Sequence, residues 1–117
     1  MQISELANYG FDVDAAMELC IDDEDIYKEV LEAFLEEGRE KLVLFDELMA
    51  NNDMDRYIIE VHGLKNAAKQ VGAEKLSEEA KDSELSGKAG KIDYIKEKYP
   101  MLLNLYKETL DVIEQLF

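Results

Sequence analysis

Apolar residues recur at intervals of three and four along nearly the whole chain, the spacing that lines one face of an α-helix, and no stretch alternates as a strand would. Between Asp23 and Ala50 the positions Tyr27, Val30, Leu31, Phe34, Leu35, Leu42, Phe45, Leu48 and Met49 build one long stripe behind the cap-like acids Asp22 and Asp23. Asn51-Asn52-Asp53 is a turn signal. A second helix is predicted over residues 54–71, burying Met54, Tyr57, Ile58, Val61, Leu64 and Ala68. It stops at Gly72, which suits the left-handed position after a helix. A third, over 73–87, presents Leu76, Ala80 and Leu85, and Gly87 and Gly90 bracket the next turn. The last spans 92–116 with Ile95, Tyr99, Leu102, Leu103, Leu105, Tyr106, Leu110, Ile113 and Leu116 on its apolar face. Pro100 is expected to kink it or to open its second half. A short helix over 13–19 precedes them all.

Four amphipathic helices joined by short turns predict an all-α fold, an antiparallel up-down-up-down four-helix bundle with a short extra N-terminal helix. No repeat, low-complexity tract or linker divides the chain, so residues 1–117 read as a single domain. Its 47% hydrophobic residues suffice for one core.

Composition narrows the partners. Thirteen Lys and Arg against 28 Asp and Glu give a formal charge of −15 and a sequence pI near 4.3. Such a surface repels nucleic-acid phosphates and anionic lipid, so neither is an expected partner. Residues 1–10 carry no basic segment followed by an apolar one, and no run of apolar residues is long enough for a bilayer; a cytoplasmic protein is expected. Because the chain opens with Met1 and the last helix ends at Phe117, a stand-alone protein is the expectation. Cys20, the single cysteine, reads as a buried thiol, and one Cys with one His cannot cage a metal. Asp22-Asp23-Glu24-Asp25 lacks the spacing and the glycine of a calcium loop. The six glycines are scattered, so no phosphate-cradling loop exists. Ser4, Ser77, Ser83 and Ser86 read as caps and turn residues, and Glu36-Glu37 and Glu78-Glu79 as a solvated face.

The acidity is uneven. Residues 22–37 hold eight acids and one base, whereas residues 55–72 hold Arg56, Lys65 and Lys69 against Asp55 and Glu60. His62, the only histidine, lies about 120° from the centre of the second helix's apolar stripe, where solvent can reach it. Lys65, Asn66 and Lys69 follow at three, four and seven residues and share its flank. Nearby cations disfavour imidazolium, which leaves a neutral nucleophile beside amines able to hold a dianionic phosphoryl group.

The stretch from His62-Gly63-Leu64-Lys65-Asn66 through Gly72-Ala73, followed by Leu76 and Ala80, resembles the signature of histidine-containing phosphotransfer (HPt) domains of bacterial phosphorelays. Gly72 and Ala73 stand ten and eleven residues after the histidine, as in that pattern. The likeness extends upstream through Ile26-Tyr27, Phe34-Leu35-Glu36-Glu37 and the Asn52-Asp53 turn, and downstream to Leu85 and Gly90. It implies that His62 accepts a phosphoryl group from a receiver-domain aspartate and passes it to another, without kinase or nucleotide chemistry of its own. Lys65 would neutralise the phosphoryl oxygens and Lys69 would assist. Glu84, 22 residues after His62, would orient the imidazole from the neighbouring helix. Gly63, Ala67 and Ala68 would let the partner approach. Asn66 stands where the family most often has glycine. The resemblance also implies a monomer that needs no cofactor, magnesium belonging to the receiver's pocket, with response-regulator receivers and a hybrid histidine kinase as partners. The rival expectation is an acidic helical adaptor that binds proteins and carries no phosphoryl group.

Overall fold

Aspartates begin three of the helices, and left-handed residues follow every helix but the last. The computed structural model describes residues 1–117 as an N-terminal 3-10 helix (Ile3–Tyr9) and five α-helices: α1 (Val13–Leu19), α2 (Glu24–Ala50), α3 (Met54–Gln70), α4 (Glu74–Lys88) and α5 (Ile92–Glu114). Asp12 accepts from the Ala15 amide, Asp23 from those of Asp25 and Ile26, and Asp53 from that of Arg56, each meeting donors that a helix start leaves unpaired. Asn52 (φ +53°), Gly72 (+84°) and Gly90 (+74°) turn the chain after α2, α3 and α4. At Gly72 the demand is double, because a Cβ there would stand 2.6 Å from the Asp12 carbonyl oxygen.

Successive helices reverse direction through these tight turns, giving an α2–α5 bundle that α1 and the 3-10 helix cover at one end. At 1.5 Å per residue the 27 residues of α2 reach about 40 Å, and the molecule measures 40 × 23 × 20 Å. The core runs through Leu31, Phe45, Tyr57, Val61, Leu76, Ile95, Tyr106, Leu110 and Ile113. Phe45 packs edge-on against Tyr57 and Tyr106 with centroids 5.5 and 6.1 Å apart. Tyr27 donates its hydroxyl to the Val71 carbonyl oxygen at 2.7 Å, and the Asp12 amide donates to the Gly72 carbonyl at 2.8 Å. Asp12, ahead of α1, and Tyr27, in the first turn of α2, are thereby fastened to the α3–α4 turn. Cys20 is buried, as expected. No helix is long and apolar enough to cross a membrane.

The predicted all-α bundle and its leading helix are present; several details differ. The 3-10 helix has no counterpart in the apolar pattern, since it buries only Ile3 and Leu6. Leu85 is 55% exposed rather than part of the α4 core face. That face is built from Leu76, Ser77, Ala80, Ser83, Glu84 and Gly87, and Leu85 is turned about 100° away from Glu84. Ser77, Ser83 and Ser86 are consequently buried mid-helix spacers rather than caps or turn residues. The helix α5 runs through Pro100 as one element, because Pro100 and the preceding-turn residue Lys96, whose carbonyl loses its donor, both face solvent.

One buried hydroxyl lacks a partner. Tyr57 is fully buried, and Ser83 faces its hydroxyl without reaching hydrogen-bonding geometry. Burial pushes this phenol up to about 12. Tyr57→Phe is expected to raise the unfolding free energy by about 1 kcal/mol in urea titration, since it removes a desolvated donor and keeps the packed ring. A loss of that size would show that the hydroxyl has a partner.

Candidate functional site

Small residues bring α4 unusually close to α3. Ala68 on α3 and Ser77, Ala80, Ser83 and Gly87 on α4 are all buried, and these two helices form the most intimate pair in the bundle. Ser77 donates its hydroxyl to the Lys65 carbonyl oxygen at 2.9 Å. A Cβ on Gly87 would stand 2.5 Å from Ile58 Cγ1. The close approach delivers Glu84, four residues after Ala80 on the inward face of α4, to the flank of His62.

The outer flank of α3 carries Ile59, His62, Asn66 and Lys69 at helical spacing, all exposed. The His62 side chain is 53% exposed and that of Glu84 only 3%. Glu84 Oε2 pairs with His62 Nδ1, Glu84 Oε1 accepts from Lys65 Nζ at 2.7 Å, and Lys88 Nζ lies 3.3 Å from Oε2. One buried carboxylate thus gathers an imidazole and two ammonium groups. The Lys65 hydrogen bond holds the Glu84 carboxyl down at about 2, against the opposing effect of its burial, with His62 and Lys88 adding to the depression.

An ionised carboxylate can only accept, so His62 Nδ1 carries the proton. In the neutral ring this leaves the Nε2 lone pair on the outer side. Asn66 Nδ2 stands 3.3 Å from Nε2, the one protein group at that nitrogen.

Of the residues singled out in the sequence, His62, Lys65 and Glu84 meet. Lys69 does not join them; it stays on the exposed flank without an ion pair, about 10 Å along the axis from His62. Lys65 is not a free cation beside the ring, as spacing along α3 alone suggested, because its charge is turned onto Glu84. Ala68 lies in the core and belongs to no approach surface, whereas Gly63 is exposed and a Cβ there would meet nothing within 4 Å. Lys88 was missed, although its position four residues after Glu84 on a predicted helix was a readable signal. Ile59, 65% exposed one turn before His62, carries no signal in the apolar pattern that marks it out.

The arrangement suits reversible attack by a neutral imidazole on an electrophile brought from outside. The nucleophilic nitrogen faces solvent, the proton is parked on the other nitrogen, and a buried negative charge waits behind the ring for the positive charge that N-substitution creates there. A family model described as Hpt domain matches residues 29–116, a span that contains α3, α4 and α5 and every side chain of this cluster. No curated protein and no solved structure matches the chain.

Proposed function

Because the chain belongs to the Hpt domain family, whose members carry phosphoryl groups in phosphorelays and interact with receiver domains and kinases, we propose that His62 is the phosphoryl carrier and shuttles the group between receiver-domain aspartates. The observation that carries this reading is the half-exposed His62 ring, backed through Nδ1 by the buried, ionised Glu84. In the forward step the Nε2 lone pair forms an N–P bond as the P–O bond of the acyl phosphate breaks, and that bond's electrons stay on the departing aspartate carboxylate. No proton moves. The ring, still protonated at Nδ1, becomes cationic, and Glu84 compensates it. Transfer to the second aspartate reverses the sequence.

Lys65 has two tasks in this account: it keeps Glu84 ionised and, within a side chain's reach of His62, it offers charge to the phosphoryl oxygens. Lys69, a turn further on, supplies long-range positive charge to the incoming group. Exposed Ile59 and the bare surface at Gly63 give the receiver an apolar, uncrowded landing place beside the nitrogen. Gly63 costs the helix about 1 kcal/mol relative to Ala, and no internal contact requires it. The chain acts as a single-domain, monomeric cytoplasmic carrier, and magnesium is supplied by the receiver.

The test is incubation of the protein with phosphorylated receiver domains, reading label on the carrier. Label that is acid-labile and base-stable, and that a second receiver removes, is expected. No label from any of several receivers would leave the helical-adaptor reading in its place.

A further inference from the structure

The lone pair that the proposed reaction needs is already occupied. Asn66 lies four residues after His62 on the exposed flank of α3, and its side-chain amide reaches Nε2 at 3.3 Å. The orientation of this amide follows from the charges behind the ring. Lys65 and Lys88 hold Glu84 ionised, Glu84 fixes the proton on Nδ1, and Nε2 is left as an acceptor. Only the NH2 end of Asn66 satisfies it; the carbonyl end would set two lone pairs against each other. Asn66 forms no other side-chain hydrogen bond, so nothing else in the fold holds it there.

We propose that Asn66 is a positioning residue that caps the His62 Nε2 lone pair before transfer and donates to a phosphoryl oxygen after it, lengthening the life of the phosphorylated state. This rests on the phosphotransfer reading above. When the N–P bond forms and the aspartate P–O bond breaks, Nε2 loses its lone pair and the amide loses its acceptor. The phosphoryl oxygens then stand two bonds beyond Nε2, within reach of the same NH2 after a small side-chain rotation. A dianionic oxygen is a stronger acceptor than a neutral ring nitrogen, so the exchange favours the loaded protein. Loss of the group through a loose transition state moves charge off those oxygens toward the leaving ring and weakens the bond Asn66 donates. The barrier to loss therefore rises, and a carboxamide at this position makes a slower-leaking store than a residue without a donor.

The test loads the intact protein with phosphoramidate, a small donor that needs no protein partner, and follows phosphohistidine by phosphorus NMR. Relative to wild type, Asn66→Ala and Asn66→Gly are expected to shorten the half-life about fivefold, the scale of one exposed charge-assisted hydrogen bond, and Asn66→Asp to shorten it further. In the unloaded protein, nitrogen NMR of the ring is expected to report the Nδ1-protonated tautomer for wild type and a shift toward protonated Nε2 in Asn66→Asp, whose carboxylate can only accept. A purely structural role for Asn66 would move neither reading. Half-lives equal in wild type and Asn66→Ala, or ring shifts unchanged in Asn66→Asp, overturn the role of Asn66 while leaving phosphotransfer standing. Wild type that takes label neither from phosphoramidate nor from any receiver overturns both.

Discussion

A His62→Gln variant is expected to take up no phosphoryl group from any receiver that labels the wild type, and to fold as well as the wild type does. Glutamine matches the reach of the imidazole, but its amide nitrogen has no lone pair free to bond phosphorus. The fold has little stake in the ring, whose side chain is half exposed. Glu84 keeps Lys65 and Lys88 as partners when the ring is gone, so no buried charge is stranded. The change in unfolding free energy should stay under about 1 kcal/mol, as for most surface substitutions. Paired measurements of label and urea unfolding separate the two effects. Undiminished label on the variant would move the acceptor to another residue.

Loss of the buried carboxylate should be nearly as severe for transfer and, unlike the first variant, visible in stability. Glu84→Ala removes the group that sets the His62 tautomer and that faces the cationic ring of the loaded state, and it leaves Lys65, only 24% exposed, without its partner. The rate of label uptake is expected to fall roughly 10²-fold, the scale of removing one preorganised group aimed at charge that develops in the transition state. Glu84→Gln, which retains an acceptor for Nδ1–H, should fall less. The two variants should also change the acid limb of stability. Folding depresses the Glu84 carboxyl from 4.5 to about 2, so between these values the unfolded chain binds the proton that the folded one refuses. The Glu84 contribution is thus fully present above about pH 4.5 and is lost as pH falls toward 2. Thermal melts across that window should steepen for wild type relative to Glu84→Gln. Parallel curves would show that Glu84 is not held by Lys65.

Helix boundaries were readable to within a residue or two, because Asp23, Asp53, Gly72 and Gly90 announce starts and stops through local chemistry. The core face of α4 was not: its inward positions are serines, an alanine, a glycine and an acid, so an apolar count was drawn to Leu85 instead. The small residues look unremarkable singly and acquire meaning only against Ile58 and Lys65 across the α3–α4 seam. His62 could be placed on an exposed flank by angle alone. Glu84 came from the family likeness, and only tertiary packing shows that it is buried and binds three cationic or protonatable groups. For the same reason the positive window around His62 read from residues 55–72 is partly neutralised in the fold by a charge from another helix.

In the proposed carrier, His62 Nε2 holds the phosphoryl group while Nδ1 stays protonated on Glu84. Nitrogen and phosphorus NMR of the protein loaded from a phosphorylated receiver tests it most directly. Phosphorus bonded to Nε2, with Nδ1 still bearing its proton, is the expected result. Phosphorus on Nδ1, or on any residue other than His62, would contradict it.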